Sequence, residues 1–419
     1  MRILLAVIML AAPCSASALN LNARLTASLH SWERQDTDST SVAHNTIHQL
    51  VSLRLKDFGV QGLSFHAYGR GFVHAEGSEG RTRLALYSTY ADWKGIVKRL
   101  DIRFGRQRIF AGVARGTFDG GRATFSLPQS VKLLAYAGVA APTDRSTRLG
   151  SWDKSHVYGF RASVRRWKTT LSLSFANEAR EAAGGDLTGP RGEELNLTTL
   201  ARRQVGGEIR STYLSKTDLY GRVDVETVYW KPTRIQVRGR RKATKNLTLS
   251  GEFDYRRPPL DANSFLSVFH LKTNKEVEGK ATYRLQNDYN MSGSYSVVLF
   301  TDDETHRMRL GLSRGASSIS YYRRSGYGGD RDGVSLGSRH GISSKLSMRG
   351  SINYSKYRLS DVQEERNKTL AGVLALDYME AGKLAASLEG HVLENQTYDY
   401  DFRLFAKVTW WINVVTQAS

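Results

Sequence analysis

From Leu19 to Leu29 the chain reads Leu-Asn-Leu-Asn-Ala-Arg-Leu-Thr-Ala-Ser-Leu, apolar at every odd position and polar at every even one. A two-residue period is the mark of a strand with one apolar face and one wet face. The pattern returns along nearly all 419 residues, broken by polar turns and not by stretches of helical period. It predicts an all-β fold, a transmembrane antiparallel up-and-down β-barrel of roughly 22 strands, range about 18–22, in a single domain. The predicted strands begin with 19–33 and 45–56 and end with 383–393 and 397–410. Residues 96–106 and 119–127 are read as two strands joined by the connection 107–118.

The connections fall into two kinds. Short ones, such as Lys56–Gly59, Leu127–Ser130, Lys242–Asn246 and Ala381–Lys383, read as periplasmic turns. Longer polar ones, around Arg34–Asn45, Ala141–Ser155, Asn177–Glu194, Arg257–Lys275 and Leu359–Lys368, read as extracellular loops. Their Gly, Pro, Asp and Glu content accounts for them as loops without any binding role.

The first residues have the form of an export signal: Arg2, an apolar run from Ile3 to Ala12, and the small-residue site Ala16-Ser17-Ala18. The expected organisation is therefore a cleaved signal peptide at 1–18, an outer-membrane barrel at 19–410 and a C-terminal tail at 411–419. Cys14, the sole cysteine, falls in the signal. No stretch reaches the roughly 20 apolar residues of a membrane-spanning helix, so any crossing must be made by strands. The mean hydropathy of -0.41 suits a barrel, half of whose strand residues face water. The 38 Gly, 20 Tyr and 15 Phe against 7 Pro suit bends, interfacial aromatic belts and continuous strands.

A formal charge of +20 fits nucleic-acid binding, attraction to acidic lipopolysaccharide, or a positive lumen. Placing the apolar parity of each strand against lipid sends Arg99, Arg103, Arg161, Arg165, Arg234, Arg238, Arg240, Arg307 and Arg309 inward. With Arg122 and others the inward set is roughly 19 cations against about eight acids. Salt bridges to facing carboxylates would use part of this excess, and the remainder would lower the barrier to anions. The aromatics fall largely on the lipid parity, which argues against a nucleic-acid face.

Two stretches carry a family resemblance. Asp101-Ile102-Arg103-Phe104-Gly105-Arg106-Gln107-Arg108-Ile109 and Phe118-Asp119-Gly120-Gly121-Arg122 resemble the Gly-Arg-Gln and Asp-Gly segments of outer-membrane porins, notably the alginate-export-type barrels. The intervening Phe110–Thr117 is short for an alginate exporter, and nothing in the residues supports alginate as the solute. The resemblance implies the porin class and a constriction role for Arg103, Arg106, Arg108, Asp119 and Arg122. Gly105 would allow Arg106 to turn toward the lumen and meet Asp119, either as a charged narrowing or as a structural pair. The last predicted strand, with Tyr398, Tyr400, Phe402, Leu404, Ala406, Val408 and Trp410 on one face, is similar to the terminal strand by which such barrels are handed to the barrel-assembly machinery.

No zinc-binding His-Glu-x-x-His, nucleotide-binding glycine loop, Gly-x-Ser-x-Gly or cysteine pair is present. The expectation is a non-enzymatic channel without cofactor or metal, passing small solutes with a bias to anions. Two alternatives stand beside it: a non-conducting structural or partner-docking barrel, and a hydrolase on the barrel wall built from Ser338 and His340 or from His306 near Asp302 and Asp303. Gly329-Asp330-Arg331-Asp332-Gly333 has some acidity of a calcium loop but reads better as a surface turn.

Overall fold

The computed structural model describes residues 20–35, 41–57, 60–74, 83–180, 200–257, 273–359, 365–395 and 401–415. The expected signal and its cleavage site lie outside the described residues. The strands are β1 (Asn20–Gln35), β2 (Ser41–Lys56), β3 (Leu63–His74), β4 (Arg83–Ile96), β5 (Leu100–Ala111) and β6 (Ala114–Leu127). Next come β7 (Val131–Ala140), β8 (His156–Arg166), β9 (Thr169–Ala179), β10 (Leu200–Ser211), β11 (Thr217–Glu226) and β12 (Lys231–Lys242). They are followed by β13 (Leu247–Arg256), β14 (Asn274–Arg284), β15 (Tyr289–Leu299), β16 (Glu304–Arg314) and β17 (Ser317–Gly326). The last five are β18 (Asp330–Gly341), β19 (Leu346–Arg358), β20 (Asn367–Glu380), β21 (Leu384–Glu394) and β22 (Asp401–Val415).

All 22 strands form one antiparallel sheet in which each pairs with its neighbours in sequence. The sheet closes where β1 meets β22, in register from Asn20 opposite Val415 to Glu33 opposite Phe402. Closure leaves no edge strand, which satisfies the backbone where no water can. The expected tail is corrected here: Trp411–Val415 belongs to β22 and pairs with β1. Trp410, Ile412 and Val414 continue the outward apolar period of Phe402 without a break, with Trp411 at the alternate position.

Outward residues form the apolar band: Leu173 is 57% exposed, Val237 56% and Leu374 59%, as side chains facing lipid must be. One end of the barrel carries tight turns. Val97-Lys98, Gln129-Ser130 and Trp167-Lys168 each place two successive residues at positive φ, the geometry whose twist matches that of the flanking strands. The other end carries the longer connections, among them 141–155 with its single helical turn Trp152–Ser155. This asymmetry matches the division expected between periplasmic turns and extracellular loops.

An inward-folded hairpin as candidate functional site

Residues 107–118, expected to be a connection, instead prolong β5 and β6. Their ladder runs on from Gln107 opposite Phe118 to Ala111 opposite Ala114, closed by Gly112 and Val113. Pairing to the flanking strands ends earlier, at Thr89 opposite Arg106 on the β4 side and at Phe118 opposite Ala140 on the β7 side. Beyond those points the hairpin has left the wall.

Its tip shows where it goes. The Val113 N–H donates to Ser174 Oγ at 3.2 Å, and the Gly112 carbonyl accepts from Arg222 at 2.9 Å. Ser174 and Arg222 are inward residues of β9 and β11, since their neighbours Leu173 and Val223 face lipid. The hairpin therefore folds into the barrel and leans on the inner wall. Two glycine positions make the bend. Gly105 sits at φ +122°, where a Cβ would stand 2.3 Å from the Thr89 carbonyl oxygen. Gly120 lies so close to Gly138 that a Cβ on it would be 2.5 Å from the Gly138 Cα.

Folding the sheet inward lays inner face on inner face. Ile109 and Phe118 are buried against Tyr136 and Val157 of the wall, forming a small apolar core inside the barrel. The opposite face, whose parity would otherwise meet lipid, is thereby turned to the lumen. Arg108, Phe110 and Arg115 lie on this face. Arg108, for which the resemblance implies a constriction role, lies on the face that the inversion turns to the lumen.

At the crease, Arg106 and Asp119 pair through two bonds, Nε to Oδ1 and Nη2 to Oδ2, both 2.8 Å. Arg106 also donates to the carbonyls of Ser146 at 2.5 Å, Arg148 at 3.0 Å and Leu86 at 3.4 Å. With side-chain exposures of 3% and 9%, the pair has little contact with lumen water. The connection 141–151 fills the space vacated by the hairpin, and its Arg145 carbonyl accepts from the Leu86 N–H at 2.8 Å. Asp144, exposed in this connection, is held below the usual carboxylate range by the Ser146 N–H, 3.0 Å away. Arg106 with Asp119 is accordingly a clamp between hairpin, wall and loop.

Beside the hairpin is a cavity of about 240 Å³. Five arginines line it, Arg108, Arg115, Arg145, Arg180 and Arg202, against one acid, Glu178. Arg180 and Arg202 each bond Glu178 at 2.6 Å, and Arg145 stacks 4.2 Å from the Tyr87 ring. The cavity floor is apolar, with Ile109, Phe118 and Val157, and Tyr136 presents a buried hydroxyl that no described group bonds. Of the five arginines only Arg108 was foreseeable. Arg115 lies in the misread connection, Arg145 in a loop, and Arg180 and Arg202 flank strand ends whose direction alternation does not fix.

The other expected lumen arginines divide into two groups. Arg103 bonds Asp92 at 3.0 Å and stacks 4.1 Å from the Tyr90 ring; Arg161 bonds Glu208 at 2.8 Å. Arg234 stands 3.7 Å from Asp254, and Arg307 lies 3.3 Å from Glu276. Arg122, Arg165, Arg238, Arg240 and Arg309 make no ion pair with the described residues. Arg238, Arg240, Arg210 and Lys280 line a second inner cavity of about 560 Å³ with Asp218, Glu252 and Glu278. Arg99 corrects the sequence reading: it is in the turn Val97–Arg99, exposed at the rim and outside the wall.

The hydrolase residues are not assembled. Ser338 Oγ is hydrogen-bonded to Ser317 and no bond joins it to His340, and His306 bonds the Tyr295 hydroxyl and Glu304 in place of Asp302 or Asp303. Asp330 and Asp332, the acids of the calcium-like stretch, are occupied by Arg358 and Arg366. Among the described residues no cluster of three or more His, Cys, Asp or Glu has the arrangement of a metal site.

These features define a closed transmembrane-type barrel whose lumen is narrowed by one of its own hairpins. No protein-family model matches the chain, and no curated protein is similar to it in sequence. Among solved structures it is similar to the siderophore receptor PirA from Pseudomonas aeruginosa, with a TM-score of 0.58 at 11% identity over 94% of this chain and 80% of that one. It also aligns with OccAB4 of Acinetobacter baumannii, with a TM-score of 0.46 at 8% identity over 96% and 99% of the two chains. The PirA likeness shows the fold.

Proposed function

We propose that the protein is a porin-like channel of the bacterial outer membrane that passes small solutes and favours anions. The observation that carries this reading is the set of five arginines with one acid around the cavity beside the inward hairpin. Glu178 neutralises one charge, so the cavity is left with a net positive field in a confined passage, where a charge acts at close range and is screened little. The apolar outer band supports the membrane setting, and a lumen lined by Arg and Lys supports the direction of the bias.

A planar-bilayer recording of the refolded barrel under a KCl gradient tests the proposal. The expected reversal potential lies toward chloride, and Arg115→Gln with Arg202→Gln moves it toward zero. Absence of conductance, or a cation preference at low salt, refutes it.

A further inference from the structure

Phe110 is 71% exposed, although it stands on a hairpin that lies inside the barrel. An apolar ring of this size facing water costs free energy unless something covers it. No described side chain does so by stacking or by a cation contact. Directly opposite it across the hairpin is Arg115, and two residues back on the same face is Arg108. Opposite residues in an antiparallel ladder have Cβ atoms about 4.5–5.5 Å apart, so the two side chains leave the hairpin side by side. Neither guanidinium makes an ion pair or a hydrogen bond with a described residue. On the other face of the hairpin Ile109 and Phe118 are buried against Tyr136 and Val157 of the wall, so Phe110 is the apolar surface on the side of the two arginines.

We propose that Phe110, Arg108 and Arg115 form a solute-binding site for a small carboxylate that carries a flat apolar body. The carboxylate meets the two guanidiniums, and the flat body lies against the Phe110 ring. A few charged groups set against an apolar lining is the usual constitution of a small-molecule site. Simple inorganic anions would use the arginines alone and leave the ring uncovered. Phe110 is thus the residue that separates amphipathic carboxylates from chloride. This inference rests on the channel reading above, which it deepens by naming the solute class.

Equilibrium binding to the full-length barrel in detergent, followed by saturation-transfer NMR, tests the site whether or not the barrel conducts. The probes are phenylacetate, acetate, which lacks the ring, and benzyl alcohol, which lacks the charge. Phenylacetate is expected to bind at least tenfold more tightly than either. Stacking is worth about 0.5–1.5 kcal/mol, so Phe110→Ala should weaken phenylacetate about 2- to 13-fold while leaving acetate unchanged. Phe110→Tyr should retain binding, and Arg115→Gln should weaken both carboxylates but not benzyl alcohol. Because Phe110 is exposed, its variants are expected to fold, as heat-modifiable gel migration would verify. Equal affinity for phenylacetate and acetate, or unchanged phenylacetate binding in Phe110→Ala, overturns the proposal. A barrel that binds phenylacetate without conducting chloride refutes the channel reading and leaves the site standing.

Discussion

The clamp at Arg106 and Asp119 offers a perturbation whose size can be worked out. Asp119→Asn keeps the shape of the side chain but removes the charge that Arg106 meets through two 2.8 Å bonds at a nearly dry site. Removing one partner of a buried, hydrogen-bonded ion pair costs about 3–5 kcal/mol, much of it the cost of the charge left behind. At about 1.36 kcal/mol per decade, that is roughly two to four decades in the ratio of held to released hairpin. The guanidinium keeps its three carbonyl partners, which places the expected loss near the lower figure. Arg106→Gln loses those contacts as well and should be the more severe change. Single-channel recording should show larger and noisier open currents in both variants, because the hairpin no longer stays against the wall. The double variant should be little worse than Arg106→Gln alone, since the two residues act through one interaction. Conductance, open-channel noise and heat-modifiable migration all indistinguishable from the parent protein in both single variants would refute the clamp.

Other outcomes follow from the same geometry. Gly105→Val, with φ at +122° and the Thr89 carbonyl in the way of a Cβ, should lower the yield of folded barrel, measured by the fraction migrating as the heat-sensitive form. Leu374→Arg, on the lipid face, should destabilise the barrel by about 2–4 kcal/mol in a urea titration, whereas Ser351→Arg, one inward position of β19, should cost far less. A larger cost for Ser351→Arg than for Leu374→Arg would mean that inside and outside have been exchanged. The chloride preference should decline between about 0.1 M and 1 M KCl, as the screening length falls from about 10 Å to about 3 Å.

The wall was legible in the sequence because each strand repeats a two-residue period that lipid on one side and water on the other enforce. Pairing of charges was less so. Whether Arg103 finds Asp92, or Arg161 finds Glu208 two strands away, depends on register and reach across the sheet, which alternation within one strand does not contain. The hairpin was hardest of all. Gly105, Gly120 and Gly121 mark a possible bend, but Ile109-Phe110-Ala111 has the same look inside the lumen as in the wall. What fixes the inward fold is contact with Ser174 and Arg222, 61 and 110 residues from the tip residues they bond. That distance also explains the missed arginines: Arg115 counts as a lumen residue only once the sheet has turned over.

The loop that fills the hairpin's former place gives the barrel a seam. Elsewhere adjacent strands are joined by ladders broken at most by a local register shift. Above Thr89 on β4, the next neighbour in the wall is the connection 141–151, held there by one backbone bond from Leu86 to Arg145, the stacking of Arg145 on Tyr87 and the Arg106 clamp. A cylinder stressed around its circumference parts where its rungs are fewest, so local opening should begin along this line. The seam borders the arginine-lined cavity on one side and the apolar outer surface on the other, so a breach there would open sideways as well as along the axis.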